Sequence, residues 1–297
     1  MQKKNFISIL DFSKKEIIDL LDKAKELKIL QKKGNLIDPL KGKTLAMIFQ
    51  KPSNRTRVSF EVGMYQLGGL AVNILPQEIE LGVRESIPAV AKTLSRFVDG
   101  IMLRVFKHTE LMEFTANAEV PIINGLSDLE HPCQALADLL TIQEKKENLE
   151  NLKICYIGDG NNVCNSLIQI TNLFEIETVV SCPKGYEPTN YENFNNVTIV
   201  NNPEAAIKNA DIIYTDVWIS MGQEKEEKQK AKDFQGYTIT KDLLKGANPD
   251  FLFMHCLPAH PGQEVTEEVL DLPNSIIFDQ AENRLHAQKA ILYYLLR

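Results

Sequence analysis

The chain has no run of ~20 consecutive apolar residues, the length a helix needs to cross a bilayer, so no membrane partner is expected. Its start, Met1-Gln-Lys-Lys-Asn-Phe6, passes into an amphipathic helical pattern over residues 13–30 without the apolar core of a signal peptide, which points to a cytoplasmic protein. Positive charge is in deficit. The 33 Lys and Arg against 40 Asp and Glu leave a net charge of -7, which argues against a nucleic-acid partner and confines any anion site to a local basic pocket. Cys-x-x-Cys pairs are absent, and the five cysteines (Cys133, Cys155, Cys164, Cys182, Cys256) are odd in number, so neither a zinc or dithiol motif nor a disulfide framework is expected. Repeats, low-complexity tracts and Pro/Gly-rich linkers are missing too.

What is present suits two ordinary domains: 297 residues, of which 44% are apolar. Short β-rich runs at 43–49, 70–74, 98–103, 120–123, 153–157, 177–181, 197–200, 211–214, 251–254 and 275–278 alternate with helical patterns. That alternation predicts an α/β fold class with two doubly wound parallel-sheet domains. A charged helix end at 143–151 sets the expected boundary near 145, giving domains 1–145 and 146–281, with a C-terminal helix over 282–297 packing back on the first domain. The charged stretch 224–232 reads as a solvated helix or a lid-like loop. Ligands of such folds bind outside the carboxyl ends of the strands, so functional residues are sought there.

Ser53-Asn54-Arg55-Thr56-Arg57 lies where the first strand gives way to the helical pattern Val58, Phe60, Met64, Leu67. The first N–H groups of a helix have no intrahelical partner and carry the positive end of its dipole, so such a junction attracts phosphate. Hydroxyls and a guanidinium add directional donors. Arg55 and Arg57 are two apart and point in different directions, so Arg55 is assigned to the ligand and Arg57, with Glu61 at i+4, to a scaffold ion pair.

Arg104 ends another apolar strand, and His131 and Gln134 share one face of the next helix, with Asp138 farther along that face. In the second half, Gly158-Asp-Gly160-Asn161-Asn162-Val163 follows a strand and invites a dinucleotide reading. The third glycine of G-x-G-x-x-G is Val163, and the next strand ends in Ser181-Cys182 rather than an acid for the ribose, so NAD is not expected. Asn161 and Asn162 are read instead as amides aimed at a small polar ligand. Asp216, with Ser220 and Met221 nearby, offers a carboxylate for an ammonium. Cys256 follows His255 on an extended segment, where adjacent side chains face opposite sides, so a Cys–His nucleophile pair is not expected.

Together these segments resemble the aspartate/ornithine carbamoyltransferase family along the whole chain. The resemblance rests on Lys51-Pro-Ser-Asn-Arg-Thr-Arg-Val-Ser-Phe60, Leu81-Gly-Val-Arg-Glu-Ser86, His131-Pro-Cys-Gln134, Gly158-Asp-Gly-Asn-Asn162, Asp216-Val-Trp-Ile-Ser-Met-Gly222, His255-Cys-Leu-Pro258 and Glu282-Asn-Arg284. The Ser-Met-Gly and His-Cys-Leu-Pro stretches point to the ornithine branch.

The resemblance implies transfer of the carbamoyl group of carbamoyl phosphate to the δ-amine of L-ornithine, with no metal and no organic cofactor, by a homotrimer or a multiple of trimers. It implies carbamoyl phosphate contacts from Ser53, Asn54, Arg55, Thr56, Arg104, His131, Gln134, Cys256, Leu257 and Arg284. Ornithine contacts would come from Asn162, Asp216, Ser220 and Met221, and the catalytic group is Arg104, His131, Cys256 and Asp216. Another amine acceptor (putrescine or lysine) and a catalytically silent relative stay open; putrescine lacks the carboxylate that Asn162 would bind. Two positions depart from the family's pattern: Asn54 stands where Thr is usual, and Glu80 where relatives often carry Gln or His. A carboxylate at Glu80 would repel a nearby phosphate unless protonated or paired, and Arg84 is a candidate partner.

Overall fold

The apolar runs become two parallel sheets in the computed structural model, which describes residues 4–35, 37–219 and 227–297. The chain divides into two compact units, Met1–Leu140 with Glu282–Arg297, and Thr141–Ala281. Among the described residues no helix is long and apolar enough to cross a membrane.

In the first unit, β1 (Thr44–Phe49), β2 (Leu70–Ile74), β3 (Gly100–Arg104) and β4 (Ile122–Leu126) lie in the order β2-β1-β3-β4, all parallel. Every residue of β3 and all of β1 after Thr44 is buried, as continuous apolar strands covered on both faces require. The chain leaves β1 toward β2 on one side and returns as β3 on the other, which makes the carboxyl ends of β1 and β3 a topological switch point. The register shifts by one residue at the end of β3, where Arg104 pairs with Leu126 and Gly125 is the extra residue. A Cβ at Gly125 would lie 2.4 Å from Met102 Sδ and 3.1 Å from the Leu103 carbonyl oxygen, so a larger residue in that bulge would have to displace the Met102 side chain.

The C-terminal helix, Ile277–Leu296, packs against the first unit. Its buried Lys289 donates to Gln31 Oε1 at 2.7 Å and Gln66 Oε1 at 2.9 Å, and Lys289 and Leu292 pack over Gly63 of the helix Asn54–Gln66. On the same helix, burial and the nearby Lys289 push His286 down to about 4. An unfolded chain takes up that proton near the ordinary histidine value of roughly 6.5, and the folded chain does not until about 4, so His286 costs stability as pH falls through this window. His286→Gln is therefore expected to flatten the fall of the denaturant midpoint between pH 6.5 and 4. An unchanged slope in urea titrations across that range would contradict the assignment.

In the second unit, β5 (Lys153–Ile157), β6 (Glu177–Ser181), β7 (Val197–Val200), β8 (Ile212–Thr215) and β9 (Leu252–His255) run parallel in the order β7-β6-β5-β8-β9. Here the switch point lies at the carboxyl ends of β5 and β8, with β9 beside β8. Cys155, Ile157, Ile213, Trp218, Phe234 and Phe253 share one buried core cluster. Burial pushes the Cys155 and Cys182 thiols up to about 12, and with Cys164 they fill the interior as small hydrophobes.

The tenth expected strand, 275–278, does not form. Ser275 makes a single bridge to Phe253, and the helix begins at Ile277, earlier than the expected 282. A short apolar run has no period of its own that separates strand from helix. Here Gln280 settles it from within the helix, its Oε1 accepting from the His255 N–H at 2.9 Å.

Candidate active site

The first cluster sits at the carboxyl ends of β1 and β3. Ser53 is the N-cap of the helix Asn54–Gln66, its Oγ accepting from Thr56 N–H at 3.2 Å, so Asn54, Arg55 and Thr56 form the first helical turn. Arg57 points away and pairs with both oxygens of Glu61 at 3.0 and 3.1 Å. Arg104, buried, ends β3 in register with Phe49 of β1.

His131 precedes the helix Pro132–Lys146, which carries Gln134 and Asp138. Arg284 of the C-terminal helix ties these pieces together: one guanidinium nitrogen donates to Gln134 Oε1 at 2.6 Å and another to Thr56 Oγ1 at 3.1 Å. Gln134 in turn donates to the buried Asp138 at 2.8 Å. The rigid fork of Arg284 thus fixes a hydroxyl and an amide at once, and both remain able to donate through their other hydrogens.

The electrostatics of this cluster centre on His131. Burial, with the cations of Arg284, Arg104 and Arg55 around it, holds its pKa well below the ordinary histidine value, so it is a neutral imidazole at pH 7. Three guanidiniums close enough to act on one imidazole leave the cluster strongly cationic within a chain of net charge -7, as a local anion site demands.

The second cluster lies at the carboxyl ends of β5, β8 and β9. Asp216 is buried and accepts on both oxygens, from Cys256 Sγ–H at 2.9 Å and from Asn161 Nδ2 at 2.8 Å. Asn161 also caps the helix Asn162–Leu173, its Oδ1 accepting from the Val163 and Cys164 N–H groups. Asn161 is thus spent on the scaffold and on Asp216, and the buried Asn162 is the first residue of that helix. Ser220 and Met221 fall outside the described residues.

Cys256 pairs with Asp216. His255 is fully buried with Nδ1 accepting from Leu257 N–H at 2.9 Å, which leaves its proton on Nε2, facing Glu264 at 3.1 Å. That anchor holds Leu257 at φ +61°, a left-handed backbone that β-carbon sterics disfavour. Ligand atoms of Asp216, His255 and Cys256 lie within 4.8 Å of one another, a spacing a metal ion can bridge, but these hydrogen bonds already engage all three side chains.

The glycine-rich turn has no room for a dinucleotide. In the dinucleotide fold the second glycine lets the backbone approach a pyrophosphate. Here Gly160 faces the chain itself: a Cβ there would lie 2.2 Å from Pro188 N, and its N–H donates to Tyr186 O at 2.8 Å. Nor does Arg84 pair with Glu80. Arg84 reaches the Glu78 carbonyl at 3.5 Å, and among the described residues no ion pair joins it to Glu80.

Asn161 as the orienting group of Asp216 was not legible in the sequence, where it read as one of two amides facing ligand. The buried Lys230, bonded to Asp159 at 2.6 Å, was equally hidden within a charged stretch that read as solvated.

Residues 4–144 match the family description "Aspartate/ornithine carbamoyltransferase, carbamoyl-P binding domain", and residues 150–295 match "Aspartate/ornithine carbamoyltransferase, Asp/Orn binding domain". The chain belongs to the aspartate/ornithine carbamoyltransferase family. Among its relatives, the ornithine carbamoyltransferase of Methanobrevibacter smithii is 51% identical over 99% of both chains. The anabolic ornithine carbamoyltransferase of Pyrococcus furiosus is 50% identical over 97% of this chain and 95% of its own. The solved structure of an ornithine carbamoyltransferase from Pyrococcus furiosus superposes with a TM-score of 0.96 at 48% identity, covering 99% of this chain and 97% of that one. The first cluster, apart from Arg284, lies in the part that matches the carbamoyl-P binding domain of the family, and Arg284 and the second cluster lie in the part that matches its Asp/Orn binding domain.

Proposed function

We propose that this member of the family is an ornithine carbamoyltransferase, moving the carbamoyl group of carbamoyl phosphate to the δ-amine of L-ornithine and releasing L-citrulline and phosphate within arginine metabolism. The observation that carries the reading is the likeness to ornithine carbamoyltransferases over nearly the full chain, 51% identity in one case. The hydrogen-bonded Cys256–Asp216 pair supports it.

Ser53, Asn54, Arg55 and Thr56 take the phosphate, which meets first-turn N–H groups, the Ser53 hydroxyl and one guanidinium. Arg104, His131 and Thr56 donate to the carbamoyl oxygen as it becomes an oxyanion; because His131 is neutral, its contribution is a hydrogen bond rather than a charge. The remaining amide hydrogen of Gln134 holds the carbamoyl group, and Arg284, Cys256 and Leu257 complete its surroundings. Asp216 takes the α-ammonium of ornithine and Asn162 its carboxylate, with Ser220 and Met221 as further acceptor contacts.

The δ-amine resembles that of lysine, with an ordinary pKa of roughly 10.4, so it must lose a proton before it attacks. The Asp216–Cys256 pair is the acceptor for that proton. Phosphate is already an activated leaving group, so no metal or organic cofactor is assigned. A cytoplasmic homotrimer, or a multiple of trimers, is the assembly that the family implies, and analytical ultracentrifugation tests it.

A panel of ornithine, lysine and putrescine offered with carbamoyl phosphate, scored by phosphate release and product mass, tests the acceptor. Ornithine should give the highest kcat/KM. One methylene is worth only about 1–3 kcal/mol in a pocket, so slower turnover of lysine is compatible with the reading, whereas a preference for putrescine contradicts it.

A further inference from the structure

We propose that Lys230 is a positioning residue of the amine-acceptor site, its single ammonium fixing the spacing between the turn that carries Asn162 and the turn that carries Asp216. Lys230 lies on the helix Glu227–Asp233, yet its side chain is only 3% exposed. Its Nζ donates to Asp159 Oδ2 at 2.6 Å and to the Trp218 carbonyl at 2.9 Å. Asp159 belongs to the turn after β5, and its carbonyl accepts from Asn161 N–H at 2.7 Å, one residue before Asn162. Trp218 stands two residues after Asp216, in the turn that follows β8. One cation therefore bridges the carboxyl ends of the two strands at the switch point of this unit.

A second consequence is electrostatic. Asp159 and Asp216 both lie in this turn region, and a buried carboxylate without a counter-charge is unfavourable. Lys230 neutralises Asp159, which leaves Asp216 as the carboxylate available to an incoming ammonium. Tyr186, whose ring centroid lies 5.7 Å from Nζ, and the turn at Gly160 that packs on it enclose the pair.

The inference rests on the acceptor roles proposed for Asn162 and Asp216, and the experiment separates the two. Wild-type protein, Lys230→Met, Lys230→Arg and the double variant Asp159→Asn/Lys230→Met are compared by steady-state kinetics with each substrate varied. Wild-type turnover of ornithine tests the underlying reading; its absence overturns that reading whatever Lys230 does. Given wild-type activity, Lys230→Met should raise KM for ornithine by roughly tenfold to a hundredfold, the scale of a ~1 Å misplacement, with KM for carbamoyl phosphate unchanged and partial recovery in Lys230→Arg.

The double variant removes the uncompensated carboxylate, so it remains measurable if Lys230→Met does not fold, and it should keep the ornithine-specific KM defect. An unchanged ornithine KM in the folded double variant, or equal rises in both KM values, would overturn the positioning role.

Discussion

Asp216→Asn is expected to lower kcat/KM for ornithine by the equivalent of about 2–5 kcal/mol, the usual cost of removing one partner from a buried charged pair. The substitution keeps the volume and shape of the side chain but changes two things. It removes the negative charge proposed to hold the α-ammonium. It also turns one acceptor oxygen into an NH2 group, although both oxygens of Asp216 accept hydrogen bonds, from Cys256 Sγ–H and Asn161 Nδ2. Because a thiol sulfur can accept weakly and the Asn161 Nδ2 cannot, the new NH2 should turn toward Cys256, leaving that thiol without its acceptor and the proton relay broken. Both kcat and ornithine KM should therefore worsen, while KM for carbamoyl phosphate stays the same. Steady-state kinetics with ornithine varied at saturating carbamoyl phosphate would show this, and an unaltered kcat/KM would remove Asp216 from the site.

Arg55→Ala should weaken carbamoyl phosphate binding far more than Arg57→Ala. Arg55 occupies the first turn of the helix Asn54–Gln66, near enough to His131 to depress its pKa, so its charge acts inside the cationic cluster. Its loss removes charge-assisted bonds worth about 1.5–3 kcal/mol, which is roughly ten- to more than a hundredfold in affinity. Arg57 is half exposed and already engaged with Glu61, an i,i+4 pair worth only about 0.3–0.5 kcal/mol of stability. Calorimetric titration of each variant with carbamoyl phosphate decides the matter; equal losses would refute the division of roles.

The parallel strands were legible because buried parallel strands are continuous apolar runs that end in polar or glycine residues, and nine of the ten expected runs correspond to the nine strands among the described residues with bounds shifted by no more than a few residues. The run at 275–278 was not, since its identity is decided by Gln280 bonding to a backbone group 25 residues away. Chemistry-bearing side chains at strand ends were legible for a topological reason: in doubly wound folds those ends are where ligands bind, so Arg104, Asp216 and Cys256 stood out by position.

Partners that converge only through the fold were not legible. Asn161 meets Asp216 across 55 residues, and Lys230 meets Asp159 across 71. A lysine within a charged stretch carries no mark in sequence to distinguish it from its solvated neighbours, and only the sheet order brings its partner to it. Val163 and Ser181-Cys182 already argued against a dinucleotide at the glycine-rich turn, but the reason for its second glycine was not legible. Gly160 is required by the backbone at Tyr186–Pro188, an interaction invisible in a local motif.

The most direct test of the whole account is citrulline formation by purified, well-folded protein supplied with carbamoyl phosphate and L-ornithine from neutral to alkaline pH. Stoichiometric citrulline and phosphate are expected, with a rate that rises as the δ-amine deprotonates. Absence of citrulline across that range, in protein shown by calorimetry to bind carbamoyl phosphate, would contradict it.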